Sequence, residues 1–156
     1  MPDPQVERWK QRGRVCLWRY ADDCRNFPGW DFSADASGRA AILELLKLML
    51  NARWSSRANI VLARGEFLAT LTSGHKGRVV SPESFKLKYP KDRVPVDHWH
   101  WEGNWIEPEL TLGRAKLTEF IDAIECLARG ENDFRIGDEA QPLHGIDKSN
   151  VSIWFW

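Results

Sequence analysis

Residues 37–50, SGRAAILELLKLML, decide how this chain folds. Ser37 can cap a helix, and Ile42, Leu45, Leu46, Met49 and Leu50 then recur at helical spacing, with Leu43 and Leu48 widening the stripe. Only Glu44 and Lys47 interrupt the apolar run from Ile42 to Leu50. A helix this apolar is covered on most sides, so the stretch predicts the central core helix, over about 37–52.

A second helix follows at 112–129. Thr111 is its expected cap; Leu117, Phe120, Ile121, Ile124 and Ala128 form one face, and Arg114, Lys116, Glu119, Asp122 and Glu125 the other. Gly130 is placed to end it as a left-handed C′ residue.

Around the helices lie short stretches with strand patterning. Arg14–Tyr20 (RVCLWRY) roughly alternates, although a helix beginning near Val6 competes for it. Asn59–Thr72 holds two apolar runs split by Arg64, Gly65 and Glu66, the spacing of a hairpin. Arg78–Val80, Phe85–Tyr89, His98–Trp101, Phe134–Ile136 and Val151–Trp156 are further strands, and Pro82, Pro90 and Pro95 push several toward sheet edges. Ala21–Asp35, with Pro28, Gly29 and four aspartates, has the composition of an exposed loop. This order is not the regular alternation of a parallel α/β sheet. It predicts a single α+β domain over 1–156: an antiparallel sheet of short strands with the two helices packed on it.

Composition narrows the function. The 22 Lys and Arg balance the 22 Asp and Glu, so no long-range field draws the protein onto nucleic acid or anionic lipid. Three cysteines, Cys16, Cys24 and Cys126, have no framework spacing and no CxxC pair, which points to reduced thiols. The opening MPDPQVERWKQRGRV lacks the apolar core of a signal peptide, and Ala40–Leu50 is too short to span a bilayer. A cytoplasmic protein with no membrane segment is the expectation, and no cofactor motif appears: both the P-loop pattern and the GxSxG elbow are missing.

The best candidate for chemistry is His98, Trp99, His100, Trp101, Glu102. Extended, it sets His98, His100 and Glu102 on one face, two imidazoles and a carboxylate suited to a divalent metal, and both tryptophans on the other. The competing reading is that the tryptophans pack inward while the polar face meets solvent.

Nine tryptophans, at 9, 18, 30, 54, 99, 101, 105, 154 and 156, are many for this length, and tryptophan either anchors a core or marks a contact surface. Along the last strand Ile153 and Phe155 face one way and Trp154 and Trp156 the other, so both faces need cover, from this chain or another. Trp30 beside Asp31 in an acidic loop is an aromatic anchor that can dock on a basic protein surface. Trp30, Asp31, Trp154 and Trp156 are therefore the candidate partner-binding residues.

The tail, LARGENDFRIG (127–137) followed by SIWFW (152–156), resembles the ending of small Trp-rich bacterial proteins of unknown function, some of them regarded as immunity proteins of contact-dependent toxin systems. The resemblance covers the last quarter of the chain and implies a cytosolic protein that blocks one partner rather than turning over a substrate. Inhibitors of nucleic-acid-cutting toxins are strongly acidic, whereas this chain is neutral. The sequence thus predicts a protein-binding module, with an immunity-type inhibitor as its implied form. The alternatives are a metal-dependent enzyme using the His-x-His-x-Glu face and a structural homodimer joined through Trp154 and Trp156.

Overall fold

Asp35, not Ser37, starts the central helix. Its Oδ1 accepts from the Gly38 N–H at 2.7 Å and from the Arg14 N–H at 2.9 Å, and its own N–H donates to the Arg14 carbonyl at 3.0 Å. One side chain thus caps the helix and ties it to the strand before it. Gly38 permits this approach, because a Cβ there would collide with the Arg14 carbonyl oxygen.

The structure, a computed structural model, describes residues 3–20, 29–63, 79–104, 106–131, 134–137 and 152–155. In chain order the elements are α1 (Pro4–Arg8), β1 (Val15–Tyr20), β2 (Trp30–Ala34), α2 (Ala36–Leu50), β3 (Ser56–Val61), β4 (Val79–Val80), β5 (Ser84–Tyr89), β6 (Trp99–Glu102), β7 (Glu109–Leu112), α3 (Arg114–Ala128), β8 (Phe134–Ile136) and β9 (Ile153–Phe155). They form a five-stranded sheet, ordered β4-β1-β2-β9-β8, and a four-stranded sheet, ordered β3-β5-β7-β6. The α+β class holds. The single antiparallel sheet does not: β2 pairs with β9 and β5 with β7 in parallel, and the remaining pairs are antiparallel.

Two strands were hidden in stretches with other signals. Trp30–Ala34, expected as the end of an exposed loop, is the central strand of the first sheet, between β1 and β9. Its alternation of Trp30, Phe32 and Ala34 with Asp31 and Ser33 outweighs the turn-forming residues that precede it. Glu109–Leu112, whose last two residues were expected to cap and open the second helix, pairs instead with both β5 and β6. The helix begins at Arg114 behind Gly113, which makes no side-chain cap bond. Thr111 therefore caps nothing; the Val96 carbonyl accepts the Ala115 N–H at 2.8 Å in its place. At the other end Gly130, at φ +79°, donates to Leu127 at 3.0 Å while Glu131 donates to Cys126 at 3.0 Å, the expected left-handed closure. The expected hairpin turn at Arg64, Gly65 and Glu66 lies outside the described residues.

The core joins both sheets and both long helices. From β2, β9 and α3 come Phe32, Phe155 and Phe120, whose rings stand 5.4 Å (Phe32–Phe155), 5.2 Å (Phe120–Phe155) and 5.9 Å (Phe32–Phe120) apart between centroids. The two Phe120 contacts are edge-on, the arrangement that aligns ring edge with ring face. Trp30 of the first sheet meets Trp101 of the second at 5.6 Å, and Trp99 meets Trp101 edge-on at 6.3 Å. All three phenylalanines are fully buried.

Phe155→Ala is expected to cost about 3–5 kcal/mol in urea denaturation, the range for emptying a buried phenylalanine site. Asp35→Ala should cost about 1–2 kcal/mol through the lost cap. Hydrogen bonding from the Arg14 N–H, opposed by burial and supported by the Gly38 N–H, holds the Asp35 carboxyl below the usual carboxylate range. Its contribution is therefore complete above about pH 4 and fades as the pH falls through the lower folded-state value. Acid titrations of stability should be shallower for Asp35→Ala than for the parent chain, and identical acid limbs would contradict the assignment.

Candidate functional site

The solvent face of β6 carries His100 and Glu102, as the two-residue period requires, with Trp99 and Trp101 buried on the opposite side and His98 just before the strand. His100 Nε2 stands 3.3 Å from Glu102 Oε1, and the rings of His98 and His100 are 6.2 Å apart between centroids. Among the described residues no group of three or more His, Cys, Asp or Glu side chains is arranged to hold a metal ion. Neighbouring positions on this face are charged or polar, including Lys88, Thr111 and Glu109, and Lys88 Nζ pairs with Glu109 Oε1 at 2.6 Å. A solvated face of interleaved charges results.

The four tryptophan-centred candidates separate. Trp30 points inward against Trp101 and beneath the Arg19 guanidinium, 5.6 Å from each, and is 4% exposed. Asp31 lies on the opposite face of the same strand and is 1% exposed. Register places it in a row across the first sheet with Trp18 on β1, Trp154 on β9 and Arg135 on β8. Trp18, Cys16 and Ser33 on that face are buried as well. Trp154 is half-buried, and Trp156 is outside the described residues. Within the stretch expected as a loop, Trp30–Ala34 is a strand that buries Trp30 and Asp31, and residues 21–28 lie outside the described residues; the two-faced cover expected of the last strand is supplied by this chain for Ser152, Ile153 and Phe155.

A different tryptophan reaches the surface. Trp54, 48% exposed, sits in the turn after α2 with the Arg53 guanidinium carbon 5.3 Å from its ring centroid. Asp3 holds that turn, accepting the Gln5 N–H at Oδ1 (2.9 Å) and the Arg53 N–H at Oδ2 (3.0 Å), while Lys91 Nζ donates to the Ala52 carbonyl at 2.7 Å. Burial works against the Asp3 charge, but the N–H groups of Gln5, Arg53, Val6 and Trp54 outweigh it and keep the carboxyl below its ordinary range. An indole and a guanidinium are thereby fixed on a pinned turn. The signal in the sequence was NARWSS (51–56), a tryptophan among polar residues with no apolar stripe to join.

Beside this turn, the outer side of α2 forms an open groove of about 560 Å³. Leu43 and Leu48 are only half-buried there, with the exposed Glu44 and Lys47 between them in the sequence. No described helix is long and apolar enough to cross a membrane.

Protein-family models, curated proteins and solved structures show no match to this chain.

Cys16 is fully buried; burial, reinforced by Asp35 and opposed by Arg14, pushes its thiol up to about 11. Cys126 is half-exposed on α3. In a Cys24→Ser background, a thiol reagent near about pH 8 should modify Cys126 in the folded protein and Cys16 only on unfolding. Equal labelling rates would contradict the placement of Cys16.

Proposed function

We propose that this protein is a binding module that docks another protein through the Arg53–Trp54 turn. The observation that carries the reading is Trp54 itself: a large indole left half in solvent, stacked with a guanidinium and held on a turn by Asp3 and Lys91. Tryptophan and arginine are the residue types that dominate interface energetics, and rigid presentation lowers the entropy lost on docking. The partner's complementary surface offers an apolar seat for the indole and a carboxylate for Arg53. A balanced net charge favours a protein partner over nucleic acid. Inhibition of a toxin in the cytoplasm, as an immunity protein does, is the form of binding that the resemblance of the tail supports.

Affinity capture from the native host with the parent chain, Trp54→Ala and Arg53→Ala, quantified side by side, tests this. One stoichiometric partner is expected with the parent chain. Trp54→Ala should weaken its binding by about 2 kcal/mol, or about 30-fold, with an unchanged circular dichroism spectrum. A partner retained equally by Trp54→Ala, or no partner at all, would overturn the assignment.

A further inference from the structure

We infer that the outer stripe of α2 is a self-complementary surface that docks a second copy of this chain. The groove is lined by Ala40, Leu43, Glu44, Lys47 and Leu48 of α2 and by Asn51, which caps its C-terminus, with Gln5 of α1 at its side. These six residues fall into three pairs equidistant from the point between Leu45 and Leu46: Glu44 with Lys47, Leu43 with Leu48, and Ala40 with Asn51. The first pair joins opposite charges and the second joins two apolar side chains.

A two-fold axis through that point sets two α2 helices antiparallel. Leu43 then meets Leu48 of the partner subunit, Glu44 meets Lys47 of the partner subunit, and both contacts occur twice. The stripe also consists of two ridges at four-residue spacing, Ala40–Glu44–Leu48 and Leu43–Lys47–Asn51, the rows that interdigitate when helices cross.

The charges around the stripe extend the match. Glu44 Oε2 is 2.9 Å from Arg12 Nη2, and Lys47 Nζ is 3.1 Å from Glu125 Oε1. In the antiparallel pair the order along each side becomes Arg12, Glu44, then Lys47 and Glu125 of the partner subunit, alternating in sign throughout. A parallel pair would set Glu44 on Glu44 and Lys47 on Lys47, so like-charge repulsion selects the antiparallel arrangement.

Contact limited to crossing helices buries less than the roughly 1,600 Å² of a standard interface, so the association is weak and concentration-dependent. It uses the groove and not the indole of Trp54, and is independent of the reading above.

Sedimentation equilibrium on the full chain, from about 10 µM to about 0.5 mM, should show a reversible monomer–dimer equilibrium, the affinity range of weak complexes. Glu44→Lys and Lys47→Glu should each weaken the dimer at least about tenfold, and the double variant Glu44→Lys/Lys47→Glu, which re-forms the central pairs across the axis but sets like charges beside Arg12 and Glu125, should recover binding above either single variant. All three changes are at solvent-exposed helix positions, so far-ultraviolet circular dichroism should stay constant. Trp54→Ala should leave the dimer unchanged while reducing partner capture, which separates this test from that of the binding module. A parent chain monomeric across the whole range, a dimer indifferent to the single changes, or a double variant that fails to recover would each overturn the proposal.

Discussion

Parallel pairing of Trp30–Phe32 with Ile153–Phe155 is the contact on which the rest of the structure depends. It joins segments more than a hundred residues apart, so the chain loses much loop entropy before the contact forms, and that loss has to be repaid locally. The repayment is aromatic. Phe32 and Phe155 come within 5.4 Å of each other and both rest on Phe120, which seats α3 against the sheet. On the row beside them Trp30 reaches Trp101 and couples the first sheet to the second. α2 is then placed from its start by Asp35, which binds the backbone leading into β1.

That arrangement explains how the tryptophans divide. A central strand such as β2 has neighbours on both edges and cover on both faces, so Trp30 and Asp31 are removed from solvent whatever their chemistry. Trp18, on β1 between β4 and β2, is interior for the same reason; Trp99 and Trp101 are interior because they take the covered face of the edge strand β6, and Trp9 is tied to the core by its indole N–H, which donates to the Ala41 carbonyl at 2.9 Å. Trp54 lies beyond the end of α2 at Leu50, in a turn where Ala52 is buried and the indole is left half in solvent. Among the described residues, the indoles of β1, β2 and β6 are thus interior, and that of Trp54 stands outward in the turn that follows α2.

Helices were the most legible part of the sequence. The three-and-four spacing of Ile42, Leu45, Leu46 and Met49 places α2, and Leu117, Phe120, Ile121 and Ile124 place α3, each within a few residues of the expected bounds. Their starts were less legible, since a cap is chosen by what lies near it in space: Asp35 wins by reaching the Arg14 N–H, and Gly113 by fitting against the Pro95 carbonyl, where a Cβ has no room. β2 and β7 were hidden because five- and four-residue alternations carry little periodic signal beside prolines, glycines and threonine. The alternation of buried Trp99 and Trp101 with His100 and Glu102 follows the period of two expected of a strand. Which of the described tryptophans stays outside was not legible, because exposure depends on sheet order, and sheet order rests on the long-range pairing of β2 with β9.

Native-state hydrogen exchange tests that pairing most directly. Amides in the β2–β9 ladder should exchange only through global unfolding, with the same opening free energy as the core amides of Leu45 in α2 and Phe120 in α3. Exchange of the 153–155 amides through a smaller, local opening, while α2 and α3 stay protected, would show that the last strand does not close the fold and would contradict the account.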